Sequence, residues 1–356
     1  MKIALLPGDG IGPEITAATR LVLDAVDQRF GFGFEYSEID IGFAALEKHG
    51  STFPEVSFEA AKAADALILG PVSHLDYPPR EKGGLNPSGE LRKRLDLFAN
   101  IRPAVTRPDL PSRTGAEFDM VIYRENTEGF YADRCMYAGP GEVQVTEDVT
   151  IAMRRITRHA STRIAQAAFA GAMQRRKKVT AVHKQNVMKI TDGLFLSCCR
   201  EVAARYPEVT YNELIVDAAC AHLVRRPEAF DVICTTNMFG DILSDLASEL
   251  SGSLGLAASV NAGVDVAMAQ AQHGSAPDIA GKGIANPASL IGSAGMLLEW
   301  LGTHRHLPRL VDAGRAVLGA LDRAIADPSK RTRDLGGSLG TSGFAQSVAA
   351  MLLNPA

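Results

Sequence analysis

The chain has 356 residues, enough for about two domains and for a core that needs no disulfide or metal staple. Hydrophobic residues make up 46% and charged residues 22%, which excludes collagen-like, disordered and disulfide-scaffold classes. The formal charge of −4 argues against a dedicated nucleic-acid binder, which is ordinarily basic.

Five cysteines (Cys135, Cys198, Cys199, Cys220, Cys234) do not suggest a disulfide framework, and the adjacent pair lacks CxxC spacing. They read as reduced thiols of a cytoplasmic protein. The N-terminal apolar run stops at Pro7, too short for a signal-peptide core. No apolar run approaches the roughly 20 residues of a membrane helix, so neither a membrane nor a nucleic acid is an expected partner.

Short apolar runs recur along the chain. Ile3 to Leu6, Ala66 to Leu69, Met120 to Tyr123, Val179 to Val182, Leu214 to Val216 and Val232 to Cys234 suit strands buried on both faces. Helical patterns lie between them. Ile15, Ala18, Val22, Ala25 and Val26 share one face, as do Ile156, Ile164 and Ala168 among Arg154, Arg155 and Arg163. The alternation predicts an α/β fold with a largely parallel sheet. Residues 70–90 predict a long loop. Residues 100–115, with Pro103, Pro108 and Pro111, predict a crossover between domains. Residues 133–147, with Gly139, Pro140 and Gly141, predict a hairpin or arm, and 250–263 a crossover back.

Five segments carry chemistry. GDGIGPEI (8–15) follows a strand and opens a helix, but Gly8, Gly10 and Gly12 give GxGxG rather than the GxGxxG of a standard Rossmann site. It reads as a glycine-rich turn feeding a helix with Pro13 in its first turn, its backbone N–H groups able to face a ligand. LRKRLDLFANIRPA (91–104) and YRENTEGFY (123–131) place Arg92, Arg102 and Arg124 in or beside apolar context. Three converging guanidiniums suit a di- or tricarboxylate; the alternative is ion pairing with Asp96 or Glu125. NMFGDILSDLASEL (237–250) puts Asp241 and Asp245 on one helical face beside a stripe of Ile242, Leu246 and Leu250. A hard divalent cation would compensate the like charges, with Asp217 as a third ligand; the alternative is a solvated acidic face. HKQNVMKITDGLF (183–195) sets Lys184 just past a strand end, either as a base or as a surface lysine. HGSAPDIAGKGIANP (273–287) is a turn-rich loop that could take a nucleotide.

Together, and in order, these segments resemble the β-decarboxylating dehydrogenases: isocitrate, isopropylmalate, homoisocitrate and tartrate dehydrogenases. The likeness runs nearly end to end. It implies a two-domain fold around a large mixed, mostly parallel sheet, and not a standard Rossmann domain. One domain, 1–99 plus 252–356, would bind the cofactor. The other, 100–251, would hold substrate, metal and the dimer interface. It further implies a homodimer with shared active sites, Lys184 and Asp217 coming from the partner chain. By the same resemblance Arg92, Arg102 and Arg124 hold the malate carboxylates. Asp217, Asp241 and Asp245 bind Mg²⁺ or Mn²⁺, Lys184 is the base, and Tyr131 is the acid that protonates the enolate.

The cofactor residues implied are His273, Gly274, Ser275, Ala276, Pro277, Asp278, Asn286 and Asp334. Asp278 resembles the acid of NAD-using members, since NADP-using members tend to carry Lys and Tyr where this chain has Asp278 and Ile279. Isopropylmalate enzymes typically carry leucines where this chain has Ser88 and Gly89. Asn86 and Ser88 are polar where isocitrate enzymes have Ser and Asn. Arg80 and Lys82 either meet a third carboxylate or are solvated. Gln270 replaces a Glu often near the cofactor, and the loop at 71–84 matches no branch closely. The implied activity is NAD- and metal-dependent oxidative decarboxylation of a 3-substituted malate. The alternatives are 3-isopropylmalate dehydrogenase of leucine biosynthesis and a catalytically silent regulatory subunit. The full set Lys184, Tyr131, Asp217, Asp241 and Asp245 speaks against the last.

Overall fold

The computed structural model describes residues 1–107, 109–110, 112–131, 136, 139 and 141–354. Pro108, Pro111, Cys135 and Pro140 lie outside the described residues. The fold is α/β, with a main sheet of ten mostly parallel strands. The chain forms two compact units: 1–91 with 107–110 and 253–356, and 92–106 with 111–252.

The first unit begins with β1 (Lys2–Leu6), α1 (Gly12–Phe30), β2 (Glu35–Glu38), α2 (Phe43–His49), α3 (Glu55–Lys62) and β3 (Ala66–Leu69). β1 pairs in parallel with β2 and β3. All four residues of β3 are buried, as expected of a strand covered on both faces. α1 buries Ile15, Ala18, Val22, Ala25 and Val26 and stops at Gly31 in the left-handed conformation. The expected long loop at 70–90 contains two short 3₁₀ turns and the start of α4 (Pro87–Arg94).

The second unit takes up β4 (Ala99–Val105), β5 (Asp119–Glu125), β6 (Glu142–Thr146), β7 (Val149–Ala152) and α5 (Arg158–Met173). It continues with β8 (Lys178–His183), α6 (Thr191–Ala203), β9 (Thr210–Ile215), α7 (Val216–Arg225), β10 (Val232–Thr235) and α8 (Asn237–Ser251). Three expectations need correction. Residues 99–105 of the supposed crossover are a strand, antiparallel to β5; Pro103 is tolerated at a position facing Val121. Leu214 to Val216 is not all strand, since helix α7 starts at Val216. Ile156 precedes α5, whose N-cap is Thr157, with its side chain accepting from the Ala160 N–H. β6 and β7 form an antiparallel two-stranded arm in which every residue is exposed.

The chain returns to the first unit through β11 (Val260–Ala262), β12 (Ala267–Gln270), α9 (Ala288–His304), α10 (Pro308–Ala326) and α11 (Thr341–Leu353). The expected second crossover at 250–263 therefore holds a strand. β12 runs parallel to β3 and antiparallel to β11. α9 is buried over most of its length, which fits its near-continuous apolar and small residues. Among the described residues the cysteines are free thiols, and no helix is long and apolar enough to cross a membrane.

Candidate active site

In parallel sheets, ligand-binding groups collect at the carboxyl ends of strands. In the second unit, Arg124 is the last residue but one of β5, β8 is followed by Lys184, β9 by Asp217 in the first turn of α7, and β10 by α8 with Asp241 and Asp245.

The arginines are placed by strand periodicity. Asn100 faces Arg124 and Arg102 faces Ile122 across β4 and β5, so Asn100, Arg102 and Arg124 share one face of the ladder. Toward the other end of that face Ala104, Met120 and Ile122 pack with Leu243 and Ala247 of α8. α8 thus meets an apolar half and a cationic half of the same ladder. Gly240 permits the crossing: a Cβ there would come within 2.6 Å of the Arg124 Cβ.

At the cationic half, Arg102 Nη1 donates to Asp241 (3.2 Å), Ser244 Oγ (2.7 Å) and Asp245 (3.3 Å), and its Nε to Asn100. Arg124 Nη1 donates to Asp241, while its Nε and Nη2 hold Asn237 Oδ1 at 3.0 and 2.7 Å. The Tyr131 hydroxyl donates to the other Asp241 oxygen at 2.6 Å. Arg92, Arg102 and Arg124 are each at most 6% exposed. Burial would raise the Asp241 pKa, but Arg124 and Arg102 outweigh it and hold the carboxyl below its ordinary value. Arg102 is pushed down to about 10, mainly by burial and then by Arg124.

Arg102 and Arg124 pair with the acids of α8 rather than with Asp96 or Glu125. Asp96 is held in a fork by Arg163 at 2.5 and 2.7 Å. Glu125 accepts from Thr127 N, Thr127 Oγ1 and Glu128 N. The helix stripe needs correction at one position: Leu246 and Leu250 are partly buried against the core, but Ile242 is 54% exposed, and α8 buries Phe239, Gly240, Leu243, Ser244, Ala247 and Ser248. Size and hydrophobicity favoured Ile242, whereas the face under the arginines needs small residues.

Lys184 Nζ pairs with Asp217. Among the described residues no three His, Cys, Asp or Glu side chains gather to hold a metal, so one chain does not join Asp217 to Asp241 and Asp245. Asp241 and Asp245 are ionisable oxygen donors, one half exposed and the other kept anionic by arginines. That donor set fits a hard divalent cation completed by further oxygens.

In the first unit the glycine-rich turn is locked to its neighbours. Asp9 N–H donates to Pro71 O and Ile11 N–H to Ser275 O, both at 2.8 Å. Those two amides are therefore spent on the protein rather than facing a ligand. Gly10, at φ 58°, lies so close that a Cβ would fall 2.0 Å from Ser275 O. Asp9, which the motif reading did not single out, accepts from Phe43 N, Ser73 N and Tyr77 Oη, tying three segments to this turn.

His273, Gly274, Ala276, Asn286 and Asp334 line one cleft of about 260 Å³, with Ile11, Ile279 and Ile284. Ser275, Pro277 and Asp278 belong to the same loop but do not line the cleft. Ser275 instead bonds Ser73 at 2.7 Å. Asn286 donates to Asp334 at 2.9 Å. Burial lowers the His273 pKa, so the ring is neutral at neutral pH, and its buried Nε2 has no hydrogen-bond partner among the described residues. An apolar cleft with one unmet ring nitrogen and a carboxylate fits a nucleoside. Asn86 Oδ1 accepts from Gly89 N at 3.2 Å, and Ser88 Oγ donates to Gln270 Oε1 at 3.2 Å.

The model of the isocitrate/isopropylmalate dehydrogenase family matches residues 2–348. The chain belongs to this family. It is 46% identical to a 3-isopropylmalate dehydrogenase of Archaeoglobus fulgidus over 99% of both chains. It is 43% identical to an isocitrate/homoisocitrate dehydrogenase of Thermus thermophilus, over 99% of this chain and 98% of that one. The crystal structure of isocitrate dehydrogenase from Methylococcus capsulatus superposes with a TM-score of 0.87 at 39% identity, covering 99% of each chain. This isocitrate/isopropylmalate dehydrogenase family member is thus similar to relatives named for different substrates.

One buried acid in the RENTEG segment gives a pH prediction. Glu128 is 3% exposed, and burial pushes its pKa up to about 7 despite the 2.7 Å bond from Thr157 N. The unfolded chain releases this proton first, near the ordinary value of 4.5. Folding stability therefore falls as pH rises above that value and levels off above about 7, by up to about 3 kcal/mol. Glu128→Gln is expected to flatten that slope in urea midpoints measured from about pH 5 to pH 8. An unchanged slope would assign the effect elsewhere.

Proposed function

We propose that the chain is a cytoplasmic, NAD- and divalent-metal-dependent dehydrogenase that oxidises and decarboxylates a 3-substituted malate to a 2-oxo acid. The observation that carries this reading is the convergence of Arg102, Arg124 and Tyr131 on Asp241, with Asp245 one turn along α8. Two buried guanidinium forks suit the carboxylates of a hydroxy diacid, and Arg92 would supply a third. Mg²⁺ or Mn²⁺ would be held by Asp241, Asp245 and the partner's Asp217, and when bound supplies Lewis-acid polarisation of the substrate oxygen.

The partner's Lys184 would take the hydroxyl proton at Nζ, and NAD when bound supplies the hydride acceptor. The adjacent C–C bond then breaks, releasing carbon dioxide and leaving its electron pair in an enolate. Tyr131 donates its hydroxyl proton to that carbon. Asp241 fixes the hydroxyl that does so. The first unit would bind NAD through the 273–279 loop, Asn286 and Asp334. The second would hold substrate, metal and the dimer contact.

The dimer is supported by the arm. Val143, Val145, Val149 and Ile151 are each 46% to 53% exposed, and a two-stranded sheet is marginal by itself. A second copy would cover it. The same dimer is what would bring Asp217 to the acids of α8.

The carboxylate of Asp278 favours NAD, because it would oppose a 2′-phosphate. Asp278→Lys combined with Ile279→Tyr is expected to move the NADP/NAD ratio of kcat/KM by on the order of 100-fold toward NADP. An unmoved ratio would remove Asp278 from cofactor selection.

Ser88 and Gly89 at the start of α4 offer no apolar sheath, which favours a small or polar substituent on the malate. A second reading is 3-isopropylmalate, the substrate named for the Archaeoglobus fulgidus relative. The test is NADH production with NAD and Mn²⁺ on isocitrate, homoisocitrate, tartrate, malate and 3-isopropylmalate, each with an EDTA control. Metal-dependent turnover of a polar member supports the first reading. Preference for 3-isopropylmalate selects the second, and no turnover of any member overturns both.

A further inference from the structure

Arg154 lies two residues beyond β7, in a segment whose other arginines are largely solvent-facing, yet its own side chain is only 7% exposed. Its Nη1 donates to Asp192 Oδ1 at 2.5 Å and to Thr191 Oγ1 at 2.8 Å. Its Nη2 donates to Thr236 Oγ1, the N-cap residue of α8, at 3.1 Å. The rings of Phe130 and Phe239 lie 5.5 and 5.6 Å from the guanidinium carbon and shield it from water. Asp192 is fully buried, and its second oxygen takes the backbone N–H of Lys184 at 2.5 Å. The Lys184 carbonyl in turn accepts from Val187 N and Met188 N at 3.0 and 2.9 Å.

Lys184 is the first residue past β8, where no ladder partner fixes its backbone. The carboxylate of Asp192 replaces that partner, and Arg154 holds the carboxylate. We propose that Arg154 and Asp192 form a buried positioning pair that sets the direction in which Lys184 projects. The same guanidinium, through Thr236, ties that direction to the start of the helix bearing Asp241 and Asp245. This rests on the reading of Lys184 as the group that takes the hydroxyl proton. Neither residue touches substrate; both act through the lysine backbone. A buried ion pair contributes little net stability over apolar residues of similar volume, so its retention here is explained by orientation rather than by folding.

That contrast supplies the test. In Arg154→Met alone the buried Asp192 charge is left uncompensated, and the variant risks unfolding. The double variant Arg154→Met/Asp192→Leu removes both charges. It is expected to fold, with the melting temperature and elution volume of the parent. Its kcat should fall on the order of 100-fold, as for an angstrom-scale misplacement of a reacting group, with KM for NAD and for the hydroxy acid within about twofold. Arg154→Lys should keep the charge and recover part of kcat. The hydroxy acid used is the panel member giving the highest parental rate, and Lys184→Met is measured beside these variants. An inactive Lys184→Met with a fully active double variant overturns the positioning pair and leaves the proposed function standing. An active Lys184→Met overturns the reading on which the pair rests. Equal losses in kcat and melting temperature in both charge-removing variants and in Arg154→Lys would make the pair structural only, and would also overturn the inference.

Discussion

Replacing Lys184 by methionine is expected to lower kcat by roughly 10²–10⁴-fold, the range contributed by one positioned acid–base group. The fold should survive. The lysine side chain is about one quarter exposed, and its only described side-chain partner, Asp217, is 68% exposed and readily resolvated. NAD binding should also survive, because the proposed cofactor residues lie in the other unit. A sharper result comes from mixing subunits. If each site takes Lys184 from its partner, co-refolding Lys184→Met with Asp245→Asn, assayed at Mn²⁺ concentrations too low to activate the latter, gives heterodimers with one intact site. Random assembly of the two then restores about a quarter of parental activity. If one chain supplied both residues, every site in the mixture would stay defective and no activity would return. Activity of Lys184→Met within tenfold of the parent would remove Lys184 from the chemistry.

The features legible in the sequence were those set by local pattern. β3 is four apolar residues and nothing else, and the structure buries all four. The apolar face of α1 follows directly from its spacing. β4 was not legible as a strand because Asn100, Arg102 and Pro103 read as linker. Its polar residues are accommodated by long-range pairing to β5 and by α8, which local pattern does not report. The same long-range packing explains the error over Ile242: the helix face under Arg124 is chosen for small size, not for hydrophobicity. Asn237 and Ser244 were missed as site residues, although Asn237 stands four before Asp241 and Ser244 three after it. That spacing places all three on neighbouring positions of one helical face, and would have found them. The Asp192 contact to Lys184 had no such signal. It depends on a turn whose geometry the intervening residues do not announce.

The two acids of α8 are expected to respond very differently to loss of charge. Asp241 accepts from Arg102, Arg124 and Tyr131 at once. Without its charge, two guanidiniums exposed by only 7% and 2% would repel each other across the site. Asp241→Asn should therefore lose both activity and stability. The stability loss should be up to about 3 kcal/mol, the low end for breaking a buried pair, because a third of the Asp241 side chain still meets solvent. Asp245 is half exposed and accepts from Arg102 at 3.3 Å. Asp245→Asn should leave the urea midpoint nearly unchanged, since exposed pairs contribute at most about 1 kcal/mol. It should nevertheless weaken Mn²⁺ activation by at least tenfold, because a hard cation would lose an anionic oxygen ligand. Unfolding curves and Mn²⁺ titrations of the two variants separate these effects. Equal stability losses would mean that Asp245 carries the arginines as much as Asp241 does. Unchanged Mn²⁺ dependence in Asp245→Asn would take the helix-face carboxylates out of the metal site.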